Sequence, residues 1–151
     1  MTTNSSTPDF QQPTTMERWF NRLFGFLVGL GFGLKHNYLL QVRGRRSGRI
    51  YSTPIDLLET GGKRFLVAPR GRTQWVRNAE AAGEVTLKKG RSRQNYGLRP
   101  VSDAEKPELL KAYLDSFKTT VQRYFPVPAG SAVERFASIA AGYPVFELTE
   151  K

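Results

Sequence analysis

Four arginines and two glycines crowd the segment Val42-Arg43-Gly44-Arg45-Arg46-Ser47-Gly48-Arg49. Guanidinium forks bind phosphate or carboxylate oxygens bidentately, and glycine lets a backbone take positive φ or come close to a ligand. The segment therefore reads as a grip for an anion. Exposed arginines are also common, so a β-hairpin with a solvated basic tip is the plainer alternative. Residues 38–42 before the segment and 50–58 after it are rich in aromatic and branched side chains, as strands are.

The distribution of charge supports the grip. Residues 18–99 hold 17 basic groups against only Asp56, Glu59, Glu80 and Glu84, so most of the formal net charge of +10 arises in the middle of the chain. A regional positive field implies a polyanionic partner or an anionic surface: nucleic acid, membrane lipid or an acidic cofactor. Cysteine is absent, which removes disulfides, thiolate nucleophiles and thiolate metal sites and is compatible with the cytosol. The single histidine, His36, has no histidine or cysteine partners for a zinc site and reads as a structural residue at a junction between a helix and a strand.

The 151 residues amount to one domain, large enough to bury a core without staples. Residues 1–13 are polar, without a basic residue or apolar run, and read as a disordered arm and not as a signal peptide. Thr14-Thr15-Met16-Glu17 resembles a capping box that opens an apolar helix over 14–35. That segment is short and glycine-rich for a membrane span, and its apolar residues surround most of the helix. It must pack on the domain, pair with another chain or lie in a lipid interface; packing on the domain is the favoured expectation.

Downstream, a turn at Thr60-Gly61-Gly62-Lys63 leads to a strand over 64–68, and a helix over 74–82 is stopped by Gly83. A hairpin over 84–88 and 92–99 follows. Ser102-Asp103-Ala104-Glu105 is a second capping box, starting a helix to about residue 120. A last helix over 131–141 and a closing strand over 143–148 complete the chain. Six short strands, mostly in hairpins, suggest a small barrel with helices attached.

Gly44-Arg45-Arg46-Ser47-Gly48, then Ser52-Thr53-Pro54, then Ala68-Pro69-Arg70-Gly71 followed by Trp75-Val76-Arg77-Asn78 carry a resemblance in their order and spacing. The chain resembles the deazaflavin-dependent nitroreductase family of actinobacterial flavin/deazaflavin oxidoreductases, from residue 38 to 78 and more loosely to the closing strand. The resemblance implies an α+β fold over 36–151, a split β-barrel of the FMN-binding type with about six mainly antiparallel strands and flanking helices. It also implies the coenzyme F-420, a reduced deazaflavin whose phosphodiester and oligoglutamate tail are strongly anionic.

Carried over by position, Arg45, Arg46 and Ser47 would meet the phosphate and tail, while Tyr51, Ser52, Thr53, Pro54 and Ile55 would run beside the ring. Val67, Ala68, Pro69 and Arg70 would close another side, and Gln74, Trp75, Val76, Arg77 and Asn78 a third. Pro69-Arg70 stands where the family commonly has Ser-Lys, and Val76 where it has an aromatic. Pro69 thus lacks a backbone N–H and a hydroxyl that a proton relay could use. Tyr124, Phe125 and Phe136 are the candidates for the substrate wall, flanking a Pro/Gly loop able to act as a lid.

The implied activity is hydride transfer to an electron-poor acceptor such as a quinone, a nitro compound or an unsaturated lactone of the coumarin type. The expected location is cytoplasmic, with peripheral contact to the inner face of the plasma membrane through 14–35 as the alternative to packing on the domain. An FMN-binding protein or non-catalytic cofactor carrier is the alternative. A basic nucleic-acid-binding module ranks below it, since no specific motif is present and the Phe and Trp positions read as buried.

Overall fold

A computed structural model describes residues 35–151; the arm over 1–13, the capping box at Thr14 and nearly all of the apolar helix expected over 14–35 lie outside the described residues. The first strand, β1 (Asn37–Arg43), alternates so that Leu40 and Val42 are buried. It pairs antiparallel with β2 (Ile50–Asp56) across the arginine turn, Arg43 opposite Ile50 and Asn37 opposite Asp56. Strand β3 (Leu58–Thr60) and β4 (Lys63–Val67) form a hairpin whose turn glycines have φ of 59° at Gly61 and 76° at Gly62. Positive φ at both central residues marks the mirror-image turn that matches strand twist, as the Gly-Gly pair predicts.

Helix α1 (Gln74–Ala82) ends at Gly83, which takes φ 72° and donates its N–H to the Ala79 carbonyl. Only glycine enters this left-handed conformation cheaply, so the stop lies where the sequence places it. β5 (Glu84–Lys89) and β6 (Ser92–Pro100) make the next hairpin. β7 (Val145–Glu150) then inserts between β6 and β4. All strands join one seven-stranded antiparallel sheet in the order β2-β1-β5-β6-β7-β4-β3.

Two departures from the sequence expectation matter for the site. Residues 50–58 are not one strand: Leu57 separates β2 from β3, which occupy opposite edges of the sheet. Leu57 is buried in one core cluster and Leu58 in the other, so the hydrophobic run persists while its pairing partner changes. The second departure concerns 131–141, where only α3 (Glu134–Ala137) and a 3-10 turn at Ala140–Gly142 form. A segment this short gains little from helix propagation, and its packing through Phe136 and Ala140 decides its shape.

The two cores lie on the two faces of the curled sheet. One, with Leu40, Val42, Leu66, Val85, Leu87, Tyr96, Phe146 and Leu148, is closed by Val76 and Ala79 of α1. The other packs Phe65, Val67 and Val145 against α2 (Lys106–Val121), α3 and the segment between them. In α2 the Glu105 carboxylate accepts from the Ser102 N–H at 3.2 Å, the reciprocal half of the capping box. The helix proper starts only at Lys106, after a turn. His36 has the structural surroundings expected of it: its Nε2 lies 3.3 Å from Asp56 Oδ1 and its ring 4.6 Å from that of Phe117. No helix among the described residues is long and apolar enough to cross a membrane.

Candidate coenzyme site

The turn between β1 and β2 is built by its own backbone. Gly44 N–H donates to the Arg49 carbonyl at 2.7 Å, Gly48 N–H to the Gly44 carbonyl at 3.0 Å, and Arg49 N–H to Ser47 Oγ at 3.1 Å. Gly48 has the expected positive φ of 77°. Gly44 lets the turn come close to Tyr51: a Cβ there would stand 2.7 Å from Tyr51 Cε2, so the ring would have to shift. The turn therefore presses its backbone onto the ring of Tyr51, which is still 48% exposed.

Helix α1 meets this turn. Arg45 Nη1–H donates to Asn78 Oδ1 at 2.7 Å and to Gln74 Oε1 at 3.0 Å, and the Arg45 backbone N–H donates to the same Asn78 oxygen at 3.1 Å. Arg46 is exposed and bonds nothing among the described residues; Arg49 lies 5.9 Å from the Tyr51 ring centroid. No carboxylate among the described residues forms an ion pair with Arg43, Arg45, Arg46 or Arg49. The acids engage Arg64, Arg72, Arg99, Lys63, Lys106, Lys111 and Lys151 instead.

The loop before α1 is pinned by hydrogen bonds. Gly71 has φ 83°, its N–H bonds the Ala68 carbonyl at 3.2 Å, and Arg72 clamps Glu80 at 2.6 and 2.8 Å. Thr73 stands at the helix N-cap without making the capping bond, and its buried Oγ1 has no hydrogen-bond partner among the described residues. The first turn of α1 holds no acidic side chain, so its free N–H groups keep their positive potential.

The remaining expected residues are placed as follows. Ser52 is exposed and Thr53, Pro54 and Ile55 half-buried on β2, an edge strand, where a proline costs no ladder bond. Ile55 and Trp75 pack against the core cluster that contains Ala68 and Val76, and Trp75 lies 6.4 Å from the Phe146 ring. β2, the end of β4 and α1 thus contribute to one core cluster. Val76 is fully buried and Val67 and Ala68 nearly so, leaving Pro69, Arg70, Trp75 and Arg77 as the half-buried members of their segments.

Among the aromatic candidates, Phe136 is fully buried and Phe125 nearly so, while Tyr124 keeps exposed surface. Tyr143 stacks on Phe125 at 4.6 Å, and its hydroxyl donates to the Tyr124 carbonyl. Burial raises the Tyr143 hydroxyl pKa. The Pro/Gly loop expected as a lid is tied down: Gln122 bonds Val127 O and Ala129 N, Lys111 bonds Ser131 O, and Asp115 accepts from Gly130 N–H at 2.8 Å. It is a wall.

Sequence reasoning missed Thr73 and Tyr143. Thr73 precedes a helix that the sequence shows and carries an N-cap signal; Tyr143 carries none, because its partners lie 18 and 19 residues away.

Among the described residues, the arginines without ion pairs, the unpartnered Thr73 hydroxyl and the acid-free N-terminus of α1 all lie where the arginine turn meets the helix, a setting whose charge suits an anionic group. The sequence profile of the F-420H(2)-dependent quinone reductase family matches residues 15–126, and the chain belongs to that family. It is a deazaflavin-dependent oxidoreductase, and coenzyme F-420 is its cofactor.

Solved structures agree on the fold. An F-420H2-dependent reductase superposes with a TM-score of 0.50 at 19% identity, over 76% of this chain and 94% of that one. A structure described as a domain-swapped dimer gives 0.54 at 16% identity over 89% and 99%. A protein of unknown function from Agrobacterium tumefaciens gives 0.54 at 18% over 96% and 60%. No curated protein matches the chain.

Proposed function

We propose that this reductase passes a hydride to a planar, electron-poor acceptor, a quinone first, with nitro compounds and unsaturated lactones of the coumarin type in the same range. In this reading Arg45, Arg46 and Ser47 hold the phosphate and oligoglutamate tail. The exposed side of β2, from Tyr51 to Ile55, flanks the ring, with Pro69 and Arg70 on one side and Trp75 and Arg77 on another, while Gln74 and Asn78 stand behind the arginine turn. The acceptor lies towards Tyr124.

The observation that carries the reading is the acid-free grip: Arg45 is tied to the helix through neutral amides while its charge remains available. When bound, the reduced deazaflavin supplies the hydride. The protein's own residues bind, orient and exclude water. The tied loop 126–131 and the buried Phe125 and Phe136 make a stiff backing for Tyr124. Proton delivery falls to water or a tyrosine hydroxyl, since Pro69 offers neither N–H nor hydroxyl.

The test is a binding titration with F-420 beside FMN at low and high ionic strength. Several tail carboxylates gain from the regional positive field, so F-420 should bind more tightly than FMN and its affinity should fall clearly as salt rises. A salt-independent affinity for F-420 removes the electrostatic part of the reading. Acceptor class is decided by comparing kcat/KM for a quinone, a nitroarene and a coumarin.

A further inference from the structure

Gln74 and Asn78 stand one helical turn apart on α1, so their side chains share a face. Both present a carbonyl oxygen to a single guanidinium, that of Arg45, at 3.0 and 2.7 Å. The Asn78 oxygen also takes the Arg45 backbone N–H, which occupies both of its lone pairs. Asn78 is only 6% exposed, between the core residues Val76 and Ala79, so its position is fixed by packing before any ligand arrives.

The chemistry of the two acceptors is what sets this arginine apart. Arg64, Arg72 and Arg99 are each oriented by a carboxylate, which cancels their charge. Arg45 is oriented by amides, which fix its direction and leave its charge intact. An aspartate in place of Asn78 would sit within the same bonding distance and form a close ion pair, competing with any anion outside.

We infer that Asn78, assisted by Gln74, is a positioning residue of the coenzyme site: it aims Arg45 at the anionic part of the coenzyme and preserves its charge, without binding the coenzyme itself. The inference rests on the reading of the arginine turn as the phosphate and tail grip. It predicts that amides are required at a position where a carboxylate would fit equally well in shape.

The test is F-420 affinity, read by coenzyme fluorescence at low and high salt, for the full chain and for Arg45→Ala, Asn78→Asp, Asn78→Ala and Arg45→Ala/Asn78→Ala. The isosteric Asn78→Asp should weaken binding about tenfold or more, as for loss of one charge-assisted bond, and should flatten the salt dependence to that of Arg45→Ala. Its thermal midpoint should stay at or above that of the unaltered chain, which separates the effect from misfolding. Asn78→Ala should weaken binding in the unaltered background but leave it unchanged when Arg45 is already alanine.

If Asn78→Ala destabilises the chain, Gln74→Glu at the exposed end supplies the same charge test. Full affinity in Asn78→Asp overturns the inference, as do losses that add in the double variant, which would mean direct contact. The underlying reading fails separately: it falls if Arg45→Ala binds F-420 as tightly as the unaltered chain. Weakened Arg45→Ala with unaffected Asn78 variants sinks the positioning role alone.

Discussion

Arg45 and Arg46 are neighbours in one turn, yet their replacement by alanine should cost different amounts of coenzyme affinity. Arg45 is already held by Asn78 and Gln74 at 2.7 and 3.0 Å, while Arg46 is exposed and bonds nothing among the described residues. A charge-assisted hydrogen bond contributes about 1.5–3 kcal/mol. Fixing a free arginine side chain costs up to about 2 kcal/mol of rotamer freedom, which Arg45 has lost on folding and Arg46 must lose on binding. Both side chains are exposed and screened by solvent, so the difference between them rests on the fixed geometry that Arg45 alone has. Arg45→Ala should therefore cost roughly 2–3 kcal/mol, about 30- to 150-fold in affinity. Arg46→Ala should cost roughly 0.5–1.5 kcal/mol, about two- to tenfold. If both arginines hold the phosphate and tail, as proposed above, their contacts lie away from the reacting ring and change little in the transition state, so the loss belongs in the apparent KM for reduced F-420 and not in kcat. Steady-state kinetics with a quinone acceptor, beside fluorescence titration, measures both. A larger cost for Arg46→Ala, or a fall in kcat at unchanged KM, refutes the preorganisation reasoning.

The Asp115 carboxyl is held below its ordinary range, first by the Gly130 N–H and then by Lys111. A lowered folded pKa gives stability that is present above the unfolded value of about 3.9 and lost as pH falls through the folded value. Asp115→Asn should accordingly flatten the acid limb of the thermal midpoint below about pH 4; parallel limbs for the two proteins would contradict this. Phe136→Ala should cost about 3–5 kcal/mol in a denaturant titration, because the ring is fully buried. Unchanged stability with a raised KM for the acceptor would return Phe136 to the substrate wall. Deleting residues 1–13 should leave solubility and liposome flotation unchanged, whereas deletion through residue 34 should alter one of them. A longer deletion that stays soluble, active and unchanged in flotation would refute the assigned role of the apolar segment.

Legibility from sequence followed the range of the interactions. The stop at Gly83 and the turn at Gly61-Gly62 are local backbone requirements, and both stand where the residues put them. The break at Leu57 left no local mark, since one hydrophobic run serves both cores and only the pairing partner changes. The six strands expected became seven for the same reason. Within the site, the basic turn was plain, but its attachment to α1 spans 33 residues and depends on which oxygens face it. Gly44 was noticed for its backbone freedom, while its actual constraint is the neighbouring Tyr51 ring. Spacing along the chain carries no information about such contacts.

The place of β7 between β6 and β4 bears on how the molecule is made. Three hairpins, β1-β2, β3-β4 and β5-β6, are local and can form within microseconds of emerging from the ribosome. Among the described residues, only Val145–Glu150 joins the β2-β1-β5-β6 group to the β4-β3 group. Until that strand is synthesised, the nascent chain carries two partial sheets with unpaired inner edges, a state open to wrong pairing with other chains. The arginine turn belongs to one partial sheet and the Pro69–Thr73 loop follows the other. If the arginine turn and the Pro69–Thr73 loop together hold the coenzyme, its whole site is complete once the last strand has joined the two groups, and binding then favours the completed sheet over earlier arrangements.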